Sequence, residues 1–137
     1  DYLGVTVGLA AADQYDWPVN ADPACPMDWD STSYTDAPHC IRSFDTGMTV
    51  EDKSGEVHHD SQIWSQALWE IREAYVDQLG LTTADWDTTL VASQFHYAAD
   101  TSFAEAAEKT YDEARYRDGD DAAAVVRARF EARGISF

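Results

Sequence analysis

Apolar residues recur at intervals of three and four from residue 61 to the end of the chain, which is the spacing of one helical face. Over 61–79 this face carries Trp64, Leu68, Ile71, Tyr75 and Leu79. Asp60 is expected to cap this helix at its start, and Gly80 is expected to end it. The spacing therefore predicts that the second half of the chain folds as helices.

Two further helices are predicted from residues that favour helix starts. The second helix is expected to be capped by Thr83. The third is expected to start at a capping box, in which Ser102 and Glu105 satisfy each other's free backbone amides. The apolar residues expected to face inward on these two helices are Trp86, Leu90, Val91 and Phe95, then Phe103, Ala106, Ala107, Tyr111 and Ala114.

Gly119 is expected to stop the third helix, and Asp120 or Asp121 to start a fourth, which ends at Gly134. The inward residues of this last helix are expected to be Val125, Val126, Phe130 and Ala132. Because the connections are short, the helices should pack as mostly antiparallel neighbours. The predicted fold class is mainly α, with a four-helix lobe over 61–137 that can bury a core alone.

Residues 1–60 have a different composition and are expected to form the other part of the chain. Residues 1–12 are almost entirely apolar, which fits a buried strand or the end of a buried helix. All four prolines lie between residues 18 and 38, so the stretch 13–60 is predicted to be one long irregular loop. A loop of that length inside a domain is usually functional.

The charge of the chain excludes some functions. It carries 26 acidic and 9 basic residues, and a net charge of −17 repels phosphate backbones, so nucleic-acid binding is not expected. No apolar run reaches the roughly 18 residues of a membrane span, and no signal peptide is expected at the start. Aspartate outnumbers glutamate 18 to 8, which fits a saline or calcium-containing exterior or an ordinary acidic protein.

Cys25 and Cys40 lie in the predicted loop. They would form one disulfide in a secreted protein or remain two thiols in a cytosolic one, and the disulfide is favoured. The same loop carries carboxylates that could bind calcium, although their spacing is not that of an EF-hand. These residues are Asp22, Asp28, Asp30 and Asp36.

Four histidines and one arginine are the candidates for chemistry. His39 and His96 are expected to have surface or structural roles. His58 and His59 come just before the first predicted helix, where an imidazole between carboxylates is a plausible proton donor. Arg42 has apolar neighbours in an acidic region, so it either bridges carboxylates or holds a ligand carbonyl or carboxylate with its planar fork.

Several short motifs, taken in order along the chain, resemble the thermolysin-like and fungalysin-like zinc metallopeptidases, the gluzincins. Asp1-Tyr2-Leu3-Gly4 is similar to the end of the family's Glu-x-x-x-Asp helix. Ile41-Arg42-Ser43-Phe44 is similar to its Leu/Ile-Arg-Ser-Met/Phe segment, and Val57-His58-x-x-Ser61-x-Ile63-Trp64 to its Val-His-x-x-Ser/Gly-x-Ile/Val stretch. The segment 130–135 resembles the closing helix. The resemblance implies the C-terminal helical lobe of a thermolysin-like catalytic domain.

The resemblance also implies roles for individual residues. In this family zinc is held by two histidines of an HExxH helix and a glutamate on the next helix, and none of these ligands lies in this chain. Asp1 would match the carboxylate that supports a zinc-bound histidine, one helical turn after the ligand glutamate. His58 would donate to the oxyanion of the tetrahedral intermediate, and Arg42 would hold a substrate carbonyl.

The chain departs from the family pattern near His58. Lys53 stands where the family has the aspartate that orients this histidine, and the nearby carboxylates are Asp52 and Glu56. The Cys25–Cys40 loop, part of the expected substrate cleft, is not shared with thermolysin.

The expected function is part of a secreted zinc endopeptidase acting on peptides or proteins, inactive without its N-terminal lobe. The alternatives are a non-catalytic acidic helical domain that binds calcium or a basic partner, and an accessory lobe with a decayed site. The peptidase interpretation requires Asp1, Arg42 and His58 to converge on one open edge of a cleft, whereas the binding interpretation lets those three residues scatter.

Overall fold

The computed structural model describes residues 42–137, which contain four α-helices, one short 3₁₀ turn and no β-strand. The turn is Val50–Asp52, and the helices are α1 (Val57–Asp77), α2 (Thr83–Gln94), α3 (Phe103–Asp118) and α4 (Asp120–Ala132). The mainly α class is therefore confirmed for these residues. Several predicted residues lie outside the described range: Asp1, the calcium candidates Asp22, Asp28, Asp30 and Asp36, the two cysteines Cys25 and Cys40, and His39.

Helix α1 begins at Val57, four residues before its predicted start, so the prediction that Asp60 caps it is wrong. The cap is Glu56, because its carbonyl accepts the first helical hydrogen bond, from the Asp60 amide. The Glu56 carboxylate also accepts from the amides of His58 and His59. The irregular stretch predicted over 13–60 therefore does not extend past residue 56. The sequence does not indicate this earlier helix start, because glutamate is not among the preferred capping residues.

The described residues form two compact units. The first contains residues 42–47 and Lys53–Trp69, and the second contains Met48–Asp52 and Glu70–Phe137. In the first unit, Phe44 is buried with its ring centroid 5.7 Å from that of Trp69. The other buried apolar residues of this unit are Ile63, Ala67 and Leu68.

The core of the second unit is built around small residues on α3 and α4. Helix α3 packs against α2 on one side and α4 on the other. Alanines at buried positions allow helices to approach closely, and here they are Ala106, Ala107 and Ala114 on α3 with Ala122 and Ala123 on α4. The large side chains that fill the remaining space are Ile71, Tyr75, Trp86, Leu90, Val126, Phe130 and Ile135.

The starts of α2 and α3 both carry the reciprocal capping box. At α3 the cap is Ser102 with Glu105, as predicted. At α2 the cap is Thr82 with Asp85, so the prediction of Thr83 is wrong by one residue. Two threonines stand side by side there, and only Thr82 lies three positions before the aspartate that completes the box.

The end of α4 is closed by Gly134, as predicted, and this glycine also permits a close contact. Its φ is 76°, in the left-handed region, and its amide and that of Ile135 donate to carbonyls of the last helical turn. A side chain at this position would place its Cβ 2.8 Å from Cγ2 of Val50. The 3₁₀ turn is held here by a hydrogen bond from the Val50 amide to the Arg133 carbonyl.

The apolar face predicted for α2 is only half right. Trp86 and Leu90 are fully buried, whereas Val91 is 42% exposed and Phe95 is 85% exposed. Phe95 is the residue that ends the helix, so its side chain lies beyond the last turn of the buried face. Ala132, at the end of α4, is also exposed, and five predicted core residues are half-buried: Trp64, Leu79, Phe103, Tyr111 and Val125.

Two phenylalanines of contrasting burial provide a test of this core. Phe130→Ala should lower the free energy of unfolding by about 3–5 kcal/mol, because it leaves a cavity at a fully buried site. Phe95→Ala should change it by less than about 0.5 kcal/mol, because that ring is already in water. Urea unfolding of both variants measures the difference, and equal losses would contradict the assignment of the core.

Candidate functional site

The segment that follows Arg42 is attached to α1 by two glutamine side chains. The Ser43 amide donates to Oε1 of Gln62 at 2.9 Å, and the Thr46 amide and hydroxyl donate to Oε1 of Gln66 at 3.3 and 3.1 Å. The two glutamines are one helical turn apart on the same face. Because the later residue of the segment meets the later glutamine, the segment runs alongside α1 in the direction of the helix.

This attachment brings Ser43, the residue after Arg42, to the part of α1 that follows His58. Gln62 is one helical turn after His58, which is about 6 Å along the axis. Its side-chain amide also donates to the His59 carbonyl at 3.2 Å, so the same glutamine contacts both the segment and the first turn. The backbone next to Arg42 therefore meets a glutamine that lies one helical turn after His58, within the first unit.

The two side chains differ in exposure. His58 is exposed, and no hydrogen bond to its ring occurs within residues 42–137. Arg42 is half-buried beside the buried Phe44. An exposed imidazole and a partly enclosed guanidinium are both able to donate hydrogen bonds to a carbonyl or carboxylate oxygen.

The sequence left open which carboxylate serves His58, and the structure gives each candidate a definite contact. Asp52 accepts from the amide and hydroxyl of Thr49, at 2.8 and 3.1 Å, within its own 3₁₀ turn. Glu56 accepts from the His58 amide at 3.1 Å and from the His59 amide at 2.7 Å. These two hydrogen bonds lower the pKa of Glu56, and the nearby imidazoles add to the effect. Glu56 thus contacts His58 through its backbone.

A second imidazole, His59, contacts a carboxylate, which the His58 ring does not do among the residues that the structure describes. Its Nδ1 is 3.2 Å from Oδ1 of Asp60 and 3.2 Å from Oγ of Ser54. Because the carboxylate only accepts, we assign the ring proton to Nδ1, which leaves Nε2 as the acceptor nitrogen. In the sequence, His59 stands out only together with His58, and the signal for this contact is the aspartate at position 60, shortly after Ser54-Gly55.

Asp60 is the most heavily hydrogen-bonded carboxylate of this region. It is buried and accepts from the Ser54 amide at 2.8 Å and the Gly55 amide at 3.0 Å. The hydrogen bond from the Ser54 amide, followed by those from His59 and Gly55, lowers the pKa of Asp60 to about 2, against the opposing effect of burial. Asp60 therefore anchors the chain before α1 to the first turn of the helix.

The remaining described histidine lies in the second unit. Nε2 of His96 is 3.5 Å from Glu113, which also pairs with Arg117. His96 follows the last turn of α2, where its amide donates to the Ser93 carbonyl. These contacts fit the structural role predicted for this histidine.

Two further findings concern residues 42–137 as a set. No group of three or more histidine, cysteine, aspartate or glutamate side chains in this range is placed to share a metal ion. None of the helices in the same range has the length and apolar character needed to cross a bilayer.

Comparison of the chain with protein-family models, with curated proteins and with solved structures gives no match in any of the three.

The folded pKa of Asp60 predicts a loss of stability in acid. Because this pKa of about 2 is below the ordinary 3.8, the folded state binds fewer protons than the unfolded state between these values. The contribution of Asp60 is therefore complete above about pH 4 and is lost as the pH falls towards about 2. Asp60→Asn should flatten the pH dependence of the free energy of unfolding, measured by urea titration at several pH values.

Asp77→Asn is the matched control, since Asp77 is an exposed aspartate on the same helix. It should leave the pH dependence close to that of the unmodified chain. If Asp60→Asn and Asp77→Asn gave the same pH dependence, the anchoring role of Asp60 would be wrong.

Proposed function

We propose that this chain is the C-terminal part of the catalytic domain of a secreted zinc metalloendopeptidase of the thermolysin-like and fungalysin-like kind. The observation that supports this function best is the attachment of the Arg42 segment to α1 through Gln62 and Gln66, near His58. A peptidase needs hydrogen-bond donors grouped around one peptide bond. Contacts across 19 and 20 residues of chain attach the segment after Arg42 to the helix that carries His58, which supports this grouping.

In this proposal the reaction is metal-assisted hydrolysis of a peptide bond. Zinc, when bound by the missing lobe, polarises the scissile carbonyl and activates water. His58 donates a hydrogen bond to the oxygen that becomes negatively charged as the carbonyl carbon turns tetrahedral. Arg42 holds a neighbouring substrate carbonyl through the paired N–H groups of its guanidinium, which fixes the direction of the peptide.

The proposal extends to residues outside the described range. Asp1 would accept a hydrogen bond from a zinc-bound histidine of the missing lobe. Cys25 and Cys40 would form a disulfide that closes the loop on the substrate cleft, as suits a secreted enzyme. The competing function, an acidic domain that binds calcium or a basic partner, depends on aspartates of that same loop.

The sequence upstream of Asp1 in the same gene tests the proposal most economically. We expect a glutamate four residues before Asp1 and an HExxH motif further upstream, because both carry the zinc ligands. An upstream sequence without HExxH would contradict the peptidase function and leave the acidic binding domain as the better proposal.

His58→Ala tests the oxyanion role in the full-length protein that contains this chain. The loss of one oxyanion donor costs about 3–4 kcal/mol, so kcat should fall by about 10²–10³-fold with little change in KM. The measurement is zinc-dependent cleavage of a fluorogenic peptide. His96→Ala is the control, because His96 is also an exposed histidine but pairs with Glu113 in the other unit. Equal activities of the two variants would contradict the role of His58.

Arg42→Lys tests the substrate-holding role in the same assay. Lysine keeps the charge but loses the planar pair of donors, so kcat/KM should fall by about 10–100-fold, mainly through KM. Arg115→Lys is the control, since Arg115 is an exposed arginine that pairs with Asp120 on the surface. An unchanged KM in Arg42→Lys would show that Arg42 has only a structural role.

A further inference from the structure

Two carboxylates hold the first turn of α1 from opposite directions. Glu56, before the helix, accepts hydrogen bonds from amides inside it, those of His58 and His59. Asp60, inside the helix, accepts hydrogen bonds from amides before it, those of Ser54 and Gly55. The backbone on both sides of Glu56 is therefore restrained.

The position of the His58 ring depends on this restrained backbone. The ring makes no hydrogen bond within residues 42–137, so no other side chain in that range holds it by such a bond. Its direction is set by the backbone of residue 58 and by the few side-chain rotamers that a helix allows. The His58 amide, which fixes that backbone, donates to the Glu56 carboxylate.

Capping alone does not explain a glutamate at this position. Serine, threonine, aspartate and asparagine are preferred there, and a long side chain loses more conformational entropy when it is held. The longer side chain of Glu56 instead allows one oxygen for each of two successive amides, Oε1 for His58 and Oε2 for His59. Two contacts restrain the turn more tightly than one.

We propose that Glu56 is the positioning residue for the His58 imidazole, holding it through the backbone, since within residues 42–137 no carboxylate is hydrogen-bonded to the ring itself. The catalytic meaning of this inference rests on the proposed function, but the geometric part does not. Glu56 acts on the reaction through His58 and is not itself placed on the substrate.

The charge on Glu56 is maintained by its surroundings. The titratable groups that act on its carboxylate are His58 and His59, and the group that acts on Asp60 is His59. The two amide hydrogen bonds lower the pKa of Glu56, so the carboxylate stays ionised at neutral pH. The hydrogen bonds from the His58 and His59 amides to the ionised Glu56 are therefore kept at neutral pH and are weakened only when acid protonates the carboxylate.

Nuclear magnetic resonance of the 137-residue chain tests the geometric part. In the unmodified chain, the amide resonances of His58 and His59 should both shift in one acid titration step with a midpoint below that of free glutamate. Glu56→Gln should remove this step from both amides and move the ring resonance of His58. Glu56→Asp should restore the ring resonance only in part, because aspartate caps a helix but its shorter side chain does not offer one oxygen to each of the two amides.

Glu105→Gln is the matched control, since Glu105 is a glutamate that also accepts from a backbone amide at the start of a helix, that of Ser102 before α3, and lies in the other unit. It should leave the His58 ring and both amide titrations unchanged. A ring resonance that does not move in Glu56→Gln would overturn the inference, and so would one that moves equally in Glu105→Gln.

Kinetics of the full-length protein test the catalytic part. Glu56→Gln should lower kcat by about 10–100-fold with little change in KM, because a misplaced donor weakens the transition state rather than substrate binding. Glu56→Asp should recover only part of the lost kcat, because it keeps the charge and loses the reach to both amides. An active unmodified enzyme whose kcat survives Glu56→Gln would overturn the positioning role. An inactive unmodified enzyme with the expected resonance changes would overturn the proposed function and leave the geometric part supported.

Discussion

The hydrogen bonds from Ser43 and Thr46 to Gln62 and Gln66 are the contacts on which the functional account depends. A glutamine side chain inside a protein must satisfy its polar atoms, and the buried Gln66 does so by accepting from both the amide and hydroxyl of Thr46. An irregular segment is thereby attached to a regular helix at two points one turn apart. The position of α1 therefore restrains the backbone of the attached segment, which follows directly after Arg42.

The start of α1 is the second element of the account. The first backbone amides of a helix have no partner within the helix and need other acceptors. At the start of α1 the carboxylate of Glu56, the capping residue, accepts from two of these amides. The helix dipole also favours a negative charge at this position. Asp60 holds the preceding chain in place. His58 consequently lies on a restrained turn of α1 while its ring remains exposed. A restrained backbone with an exposed imidazole suits a group that must meet a substrate.

The start of α3 and the end of α4 could be predicted from sequence because local rules govern them. The box of Ser102 and Glu105 and the closing glycine Gly134 each follow from a few neighbouring residues. The start of α1 and the exposure of Phe95 could not, because an unusual cap and a side chain past the last turn override those rules. The attachment of the segment after Arg42 to α1 depends on hydrogen bonds between residues that are 19 and 20 positions apart in the sequence. The spacing of apolar residues does not reveal such contacts.

The most direct test of the account is a measurement of that attachment in solution. Isotope-labelled chain should show direct nuclear Overhauser contacts between the Ser43 amide and the side chain of Gln62, and between Thr46 and the side chain of Gln66. Both contacts are expected if the segment lies along α1 as described. If neither is seen while α1 itself is intact, the arginine and the histidine have no common neighbourhood, and the peptidase account is contradicted.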